Sequence, residues 1–264
     1  MNRLARVILL LAINAVPVVG VGWAGWANAT ALVLYWCETV ILVALVALRI
    51  DLHRRWTNKR GHYCEVLVTT TWNGVTKSET RIGQFGTNFV TVALAFLFVH
   101  AIFLGFILAK TGLLQTVNFM QLKQGLTATT TFLCLGLSLD LVRLRNLPFA
   151  WVQDLSNGVL RRVLLVQVVI IFGAVAIWWF KLPTAILLTF VILKIFTDVT
   201  SQIPQYNPVE APKWMVRLLG KGFAEYWRAE RRADEDRARA EEEIFTGKPM
   251  PPGKAQTQWR ADMN

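Results

Sequence analysis

Four polar side chains stand inside stretches that otherwise read as hydrocarbon: Asn14 in "LLLAINAVPVVG", Glu38 in "LVLYWCETVILVAL", His100 in "LAFLFVHAIFLGF" and Lys194 in "TFVILKIFTDV". A carboxylate at the centre of a membrane-spanning helix costs ~2.5–3.5 kcal/mol on insertion scales, so Glu38 needs a counter-charge, a proton or a task. Counted at ~1.5 Å per residue from the outer end of each apolar run, all four lie ~13–17 Å deep, near a bilayer midplane. A second layer, Asp140, Gln167 and Asp198, lies ~20–24 Å deep. Tyr35 shares a helix face with Glu38 at i,i+3, and Lys194 shares one with Asp198 at i,i+4. The expected site is therefore Asn14, Tyr35, Glu38, His100, Lys194 and Asp198, with the Glu38 carboxylate paired to Lys194 or His100. Such a layer suits a proton or ion relay or a solute site. It equally suits a hydrogen-bonded staple that fixes helix order, since intramembrane polar contacts average only about 0.6 kcal/mol.

Other chemistries find little support. There is no H-E-x-x-H, Walker or G-x-S-x-G signature, so no catalytic residue is assigned and the chain leans away from being an enzyme. Glu38, His100 and Asp140 could in principle meet at a metal, but they come from three segments without ligand spacing, and no metal is expected. The residues do not identify a cofactor. Cys37, Cys64 and Cys134 have neither disulfide-framework nor redox spacing.

Six apolar segments must position these groups, near 7–23, 29–48, 88–109, 125–142, 163–180 and 183–200. Each approaches the ~20 residues that cross ~30 Å of hydrocarbon. Backbone polar groups in lipid must pair internally, so each is expected to be an α-helix. The chain is 54% hydrophobic and only 17% charged, below the ~25% of soluble domains. Of its 28 Lys/Arg and 17 Asp/Glu, 11 and 10 lie beyond Ser201, leaving 17 and 7 for the first 200 residues. The fold class is thus an all-α membrane bundle of about six helices over 1–200, with a water-facing tail over 201–264. Alternate connections carry 13 Lys/Arg against 3, which orients both termini to the cytoplasm in a multi-pass plasma-membrane protein. Membrane topology explains the net charge of +11, so no nucleic acid is expected as a partner. The first segment also fits a signal peptide ending in Ala27-Asn28-Ala29, whose cleavage would leave five helices.

Two appendages complete the plan. The cytoplasmic insertion 56–86 holds "EVLVTTTWNGVTKSETR", where Asn73-Gly74 between β-branched runs predicts a small hairpin. After a linker marked by Pro204, Pro208 and Pro212, residues 213–243 read as an amphipathic and then a charged helix. Its Arg231–Glu235, Arg232–Asp236, Arg237–Glu241 and Arg239–Glu243 pairs are spaced i,i+4. The expected partners are the lipid bilayer and a cytoplasmic protein reached through this tail.

The pieces "NAVPVVG", "LYWCE", "VHAIF", "RVLLVQVVIIFG" and "LKIFTD" resemble a family of multi-pass prokaryotic membrane proteins catalogued as a domain of unknown function. That resemblance covers about residues 5–200 in discontinuous pieces. It aligns Asn14, Pro17, Tyr35, Trp36, Glu38, His100, Arg162, Lys194 and Asp198 with the family's pattern. Val92 and Gln167 stand where the family tends to have histidine, which speaks further against a metal. On this resemblance the insertion and the tail are additions. It implies a membrane fold and no particular activity. A proton-linked transporter or channel-like protein is the leading expectation, and an interaction or assembly factor working through the tail is the alternative.

Overall fold

A computed structural model describes residues 3–72, 75–180 and 210–247. These residues are mostly helical: α1 (Arg3–Gly22), α2 (Asn28–Thr57), α3 (Phe85–Lys110), α4 (Phe119–Leu141), α5 (Phe149–Phe180), α6 (Lys213–Leu219) and α7 (Lys221–Glu242). One antiparallel hairpin, β1 (Tyr63–Trp72) and β2 (Val75–Gln84), interrupts them. The sixth expected segment, 183–200, lies outside the described residues, and Lys194 and Asp198 lie there with it. The chain divides into two compact units. One comprises residues 1–53, 86–147 and 151–203, and the other 54–85, 148–150 and 204–264.

In the first unit α2 is the central element. Trp36 Nε1 donates to the Leu97 carbonyl of α3 at 3.4 Å, and Ala29 packs with Leu104 and Leu108. At the other end, a Cβ on Gly86 would touch Ile50 at 3.2 Å. α3 therefore runs antiparallel to α2. α4 meets α2 at Thr30 with Asn118, Leu34 with Gly125 and Arg49 with Asp140, and so runs parallel to it. α5 runs antiparallel, since His53 meets the Leu147 carbonyl and Arg162 meets Glu38. α1 packs along α4 with Leu9 near Gly136. Asn118 starts α4 by accepting from the backbone N–H groups of Met120 and Gln121, which satisfies donors that have no partner inside the helix.

The helices are longer than their apolar runs. α5 begins at Phe149 rather than near 163, and α2 continues to Thr57 rather than stopping near 48. The reason is that a polar or charged residue does not end a helix when a neighbouring helix satisfies it. α2 and α3 are long and apolar enough to cross a membrane. Close packing at Gly125 gives a direct test. A Cβ there would lie 2.6 Å from Leu34 Cδ2 and 2.9 Å from the Trp26 ring, whereas one at Gly105 would meet nothing within 4 Å among the described residues. Gly125→Val is expected to destabilise by ~1–3 kcal/mol through overpacking. Gly105→Val is expected to stay within ~0.5 kcal/mol of wild type. Thermal melting of the two purified variants checks this.

In the second unit the hairpin pairs in register from Tyr63 with Gln84 to Trp72 with Val75. The tail is two helices rather than one, broken at Gly220, whose φ of +87° suits glycine. Arg231 pairs with Glu235 at 3.4 Å as expected, but Arg237 and Arg239 reach Asp234 and Asp236 at i,i+3. Burial pushes the Glu241 carboxyl up, with Arg237 opposing the shift and Glu242 adding to it.

Candidate functional site: a buried polar layer

Glu38 does have a counter-charge, supplied by Arg162 of α5. Both side chains are buried, Glu38 to 1% exposure. By the apolar run 163–180, Arg162 belongs with Arg161 to a basic cytoplasmic connection. It instead sits 13 residues into α5, on the buried stripe of Phe149, Val152, Ser156, Val159 and Val163. Arg161, one residue earlier and 100° around the helix, is exposed. The i,i+3/i+4 spacing of that stripe was a usable signal for Arg162. A helix boundary placed at the first continuous apolar run hid it.

Arg162 fixes the level of the layer, and the helix registers place the other members. His100 lies opposite the 33–36 stretch of α2, beside Tyr35 in height and about one helical turn (~5.4 Å) from Glu38. His100 and Tyr35 are both buried. Asn14 is buried in α1 at the level of Thr131 of α4, and its Nδ2 donates to the Leu10 carbonyl at 2.9 Å. Thr129, which sequence reasoning did not single out, is fully buried in α4 at the height of Glu38. Each of the five helices thus brings a polar group to one layer: Asn14, Tyr35 with Glu38, His100, Thr129 and Arg162.

The second layer separates from the first. Arg49, which falls just beyond the apolar run 29–48, lies within α2 and pairs with Asp140 at 3.2 Å, both largely buried. His53, one turn further on, is fully buried with Nε2 3.0 Å from the Leu147 carbonyl. Eleven residues separate Glu38 from Arg49, which is about 16 Å along the helix. Gln167 occupies α5 five residues beyond Arg162, so it lies on the side of the pair away from Asp140.

The first layer contains more polar chemistry than the ion pair uses. His100 Nδ1 and Thr129 Oγ1 are buried without a hydrogen-bond partner among the described residues. Leaving such an atom unsatisfied costs about 1–3 kcal/mol. Among the described residues no group of three or more His, Cys, Asp or Glu could hold a metal.

Fold and site together define a mostly helical protein with an ion-paired polar core and two helices apolar enough to span a membrane. The chain belongs to a family of unknown function, DUF6498, whose model matches residues 1–239. The match runs through the hairpin and most of α7, so the tail as far as 239 falls within the family's span rather than following it. No curated protein and no solved structure matches the chain.

Proposed function

We propose that the chain is an integral membrane protein of six spans with both termini cytoplasmic. Its buried layer is a proton-linked translocation site held closed by the Glu38–Arg162 pair. The membrane part of this reading rests on the inverted exterior. Phe98 and Phe106 of α3 are 67% and 60% exposed, and Val92, Leu94, Val99, Ile102 and Phe103 are also exposed, while the polar groups are buried. In water an apolar face of that extent is a liability, whereas in lipid it is the required surface.

The observation that carries the functional part is the surplus of buried polar groups at one level. A staple needs only Glu38 and Arg162. The added imidazole and hydroxyl, each with an atom unsatisfied among the described residues, give a proton or a small polar solute something to bind when the pair opens. Protonation of the Glu38 carboxylate removes its negative charge and so weakens its hold on Arg162. Lys194 and Asp198, four residues apart in the sequence of the sixth segment, are the candidates for passing the proton towards the cytoplasm.

Proton flux into proteoliposomes tests the reading. Wild type is expected to acidify the lumen under an imposed gradient. The double variant Glu38→Gln with Arg162→Met, which keeps the core neutral, is expected to fold and to carry no more flux than empty liposomes. Equal flux from wild type and the double variant would refute the site. A second reading, an assembly factor, draws on the near-complete burial of Glu38 and on the outward charged face of α7. It predicts no flux at all and a cytoplasmic protein that co-purifies only while residues 213–243 are present.

A further inference from the structure

The second unit contains an interaction that neither reading of the membrane core uses. We propose that residues 58–63 and the N-terminus of α5 form a docking site for an acidic–aromatic peptide segment. The chain's own Glu242-Glu243-Ile244-Phe245 fills it in cis, and a partner segment of the same chemistry displaces it. The inference stands independently of whether the core transports anything.

The tail segment binds as a short added strand. Arg60 N donates to the Glu243 carbonyl at 2.7 Å, Phe245 N donates to the Asn58 carbonyl at 2.9 Å, and Lys59 and Ile244 form an antiparallel bridge. Main-chain pairing of this kind gives affinity, and the side chains on either side give specificity. Glu242 is the charged anchor: one carboxylate oxygen accepts from the backbone N–H of Phe149, the first residue of α5, and the other pairs with Lys59 Nζ. A carboxylate at a helix N-terminus is favoured by unpaired N–H groups and by the helix dipole. Phe245 is the aromatic anchor, stacked on Tyr63 with ring centroids 4.0 Å apart at 16°. Glu243 reaches Arg60 only at 3.7 Å from an exposed position, and Ile244 is 70% exposed.

The receptor side also has contacts of its own that do not involve the tail. Asn58 holds a φ of +46°, uncommon for a side chain other than glycine, and Tyr63 Oη donates to its Oδ1 at 2.7 Å. Beneath the strand, His62 is fully buried edge-on to Phe149, and Phe85 packs on the same ring at 5.4 Å. Gly61 lies so close to that ring that a Cβ would come within 2.2 Å of it. The tail segment meets this platform chiefly through Glu242 and Phe245, while Glu243 and Ile244 stay exposed. Covalent linkage keeps a weak ligand bound by effective concentration, at about millimolar levels for short connections. A free segment then competes only when it is concentrated or better matched.

Fluorescence anisotropy with a labelled peptide copying residues 240–247 tests this on the detergent-solubilised chain. A chain ending at Glu241 is expected to bind the peptide, and the intact chain is not. On the truncated chain, Lys59→Glu is expected to weaken binding about tenfold or more, as loss of a charge-assisted contact should. If truncation prevents folding, the full-length Glu242→Lys variant empties the site with the chain intact and should take up the same peptide. Failure of both emptied proteins to bind would overturn the proposal. Equal binding by the intact and truncated chains would overturn it too, because the peptide would then be using another surface.

Discussion

Arg162→Met is expected to lower the stability of the solubilised protein by ~3–5 kcal/mol, and Glu38→Gln placed on top of it to recover most of that loss. The asymmetry follows from burial. Removing the guanidinium strands a carboxylate that is 1% exposed. That carboxylate must then take up a proton or draw α2 towards solvent, and either change costs free energy the pair had saved. Removing both charges leaves two groups of similar volume without the far larger desolvation penalty of an unpaired charge. A double-mutant cycle by thermal or denaturant unfolding measures the coupling directly. Coupling near zero, with the double variant as unstable as the sum of the singles, would mean that Glu38 takes another partner in the working protein. The Arg49–Asp140 pair supplies an internal comparison. It sits about 16 Å away near the opposite end of α2, and Asp140 retains 12% side-chain exposure. Water at that end can stabilise a lone charge, so Arg49→Met should cost less than Arg162→Met.

These two pairs also mark where the sequence was informative and where it was not. The apolar runs around Glu38 and His100 announced α2 and α3, because an uninterrupted hydrophobic stretch has few alternatives to a buried or lipid-facing helix. The Asn73-Gly74 dipeptide announced the hairpin, because such a pair between β-branched runs is a strong local hairpin signal. Counting along the apolar runs gave Asn14, Glu38 and His100 a common depth and Tyr35 a shared face with Glu38, and the helix registers set these residues at similar heights. The cations were misread. Arg49 and Arg162 stand at the ends of apolar runs, where a long basic side chain usually belongs to the interface. Whether it belongs to a helix interior depends on an acid from another helix, which local composition does not reveal. Thr129 was passed over for a related reason. A hydroxyl in "GLTATTTF" commonly bonds back to its own helix, as Thr127 and Thr131 do with the carbonyls four residues earlier, and only tertiary packing distinguishes the one that does not. The clasp at 242–245 was the least legible feature. Its charged anchor binds a backbone N–H at Phe149, and a helix start carries no side-chain signature for such a ligand.

Phe98→Lys separates the membrane reading from its alternatives with the largest expected single-site effect on biogenesis. Phe98 is 67% exposed and lies 13 residues into α3, so its side chain projects from the middle of the helix rather than from an end. If that face meets lipid, a lysine there costs ~2.5–3.5 kcal/mol on insertion scales. It is also too deep for its ammonium to reach the interface without bending the stem along much of the helix. The variant is then expected to accumulate poorly in the membrane fraction and to aggregate on extraction. If the same face meets water, the substitution exchanges an exposed aromatic ring for a soluble charge. Stability would then move by no more than ~0.5 kcal/mol, and solubility would rise. Val142→Lys is the matched control. Val142 is 83% exposed but follows the last residue of α4, where a lysine reaches the headgroups, and it should be tolerated in either environment. Quantifying both variants in membrane and soluble fractions, followed by size-exclusion of the extract, distinguishes the cases. Loss of Phe98→Lys alone is the pattern that a lipid-facing α3 requires. Survival of both would place the α3 face in water, and the inverted arrangement of polar core and apolar surface would then need a protein partner to cover it.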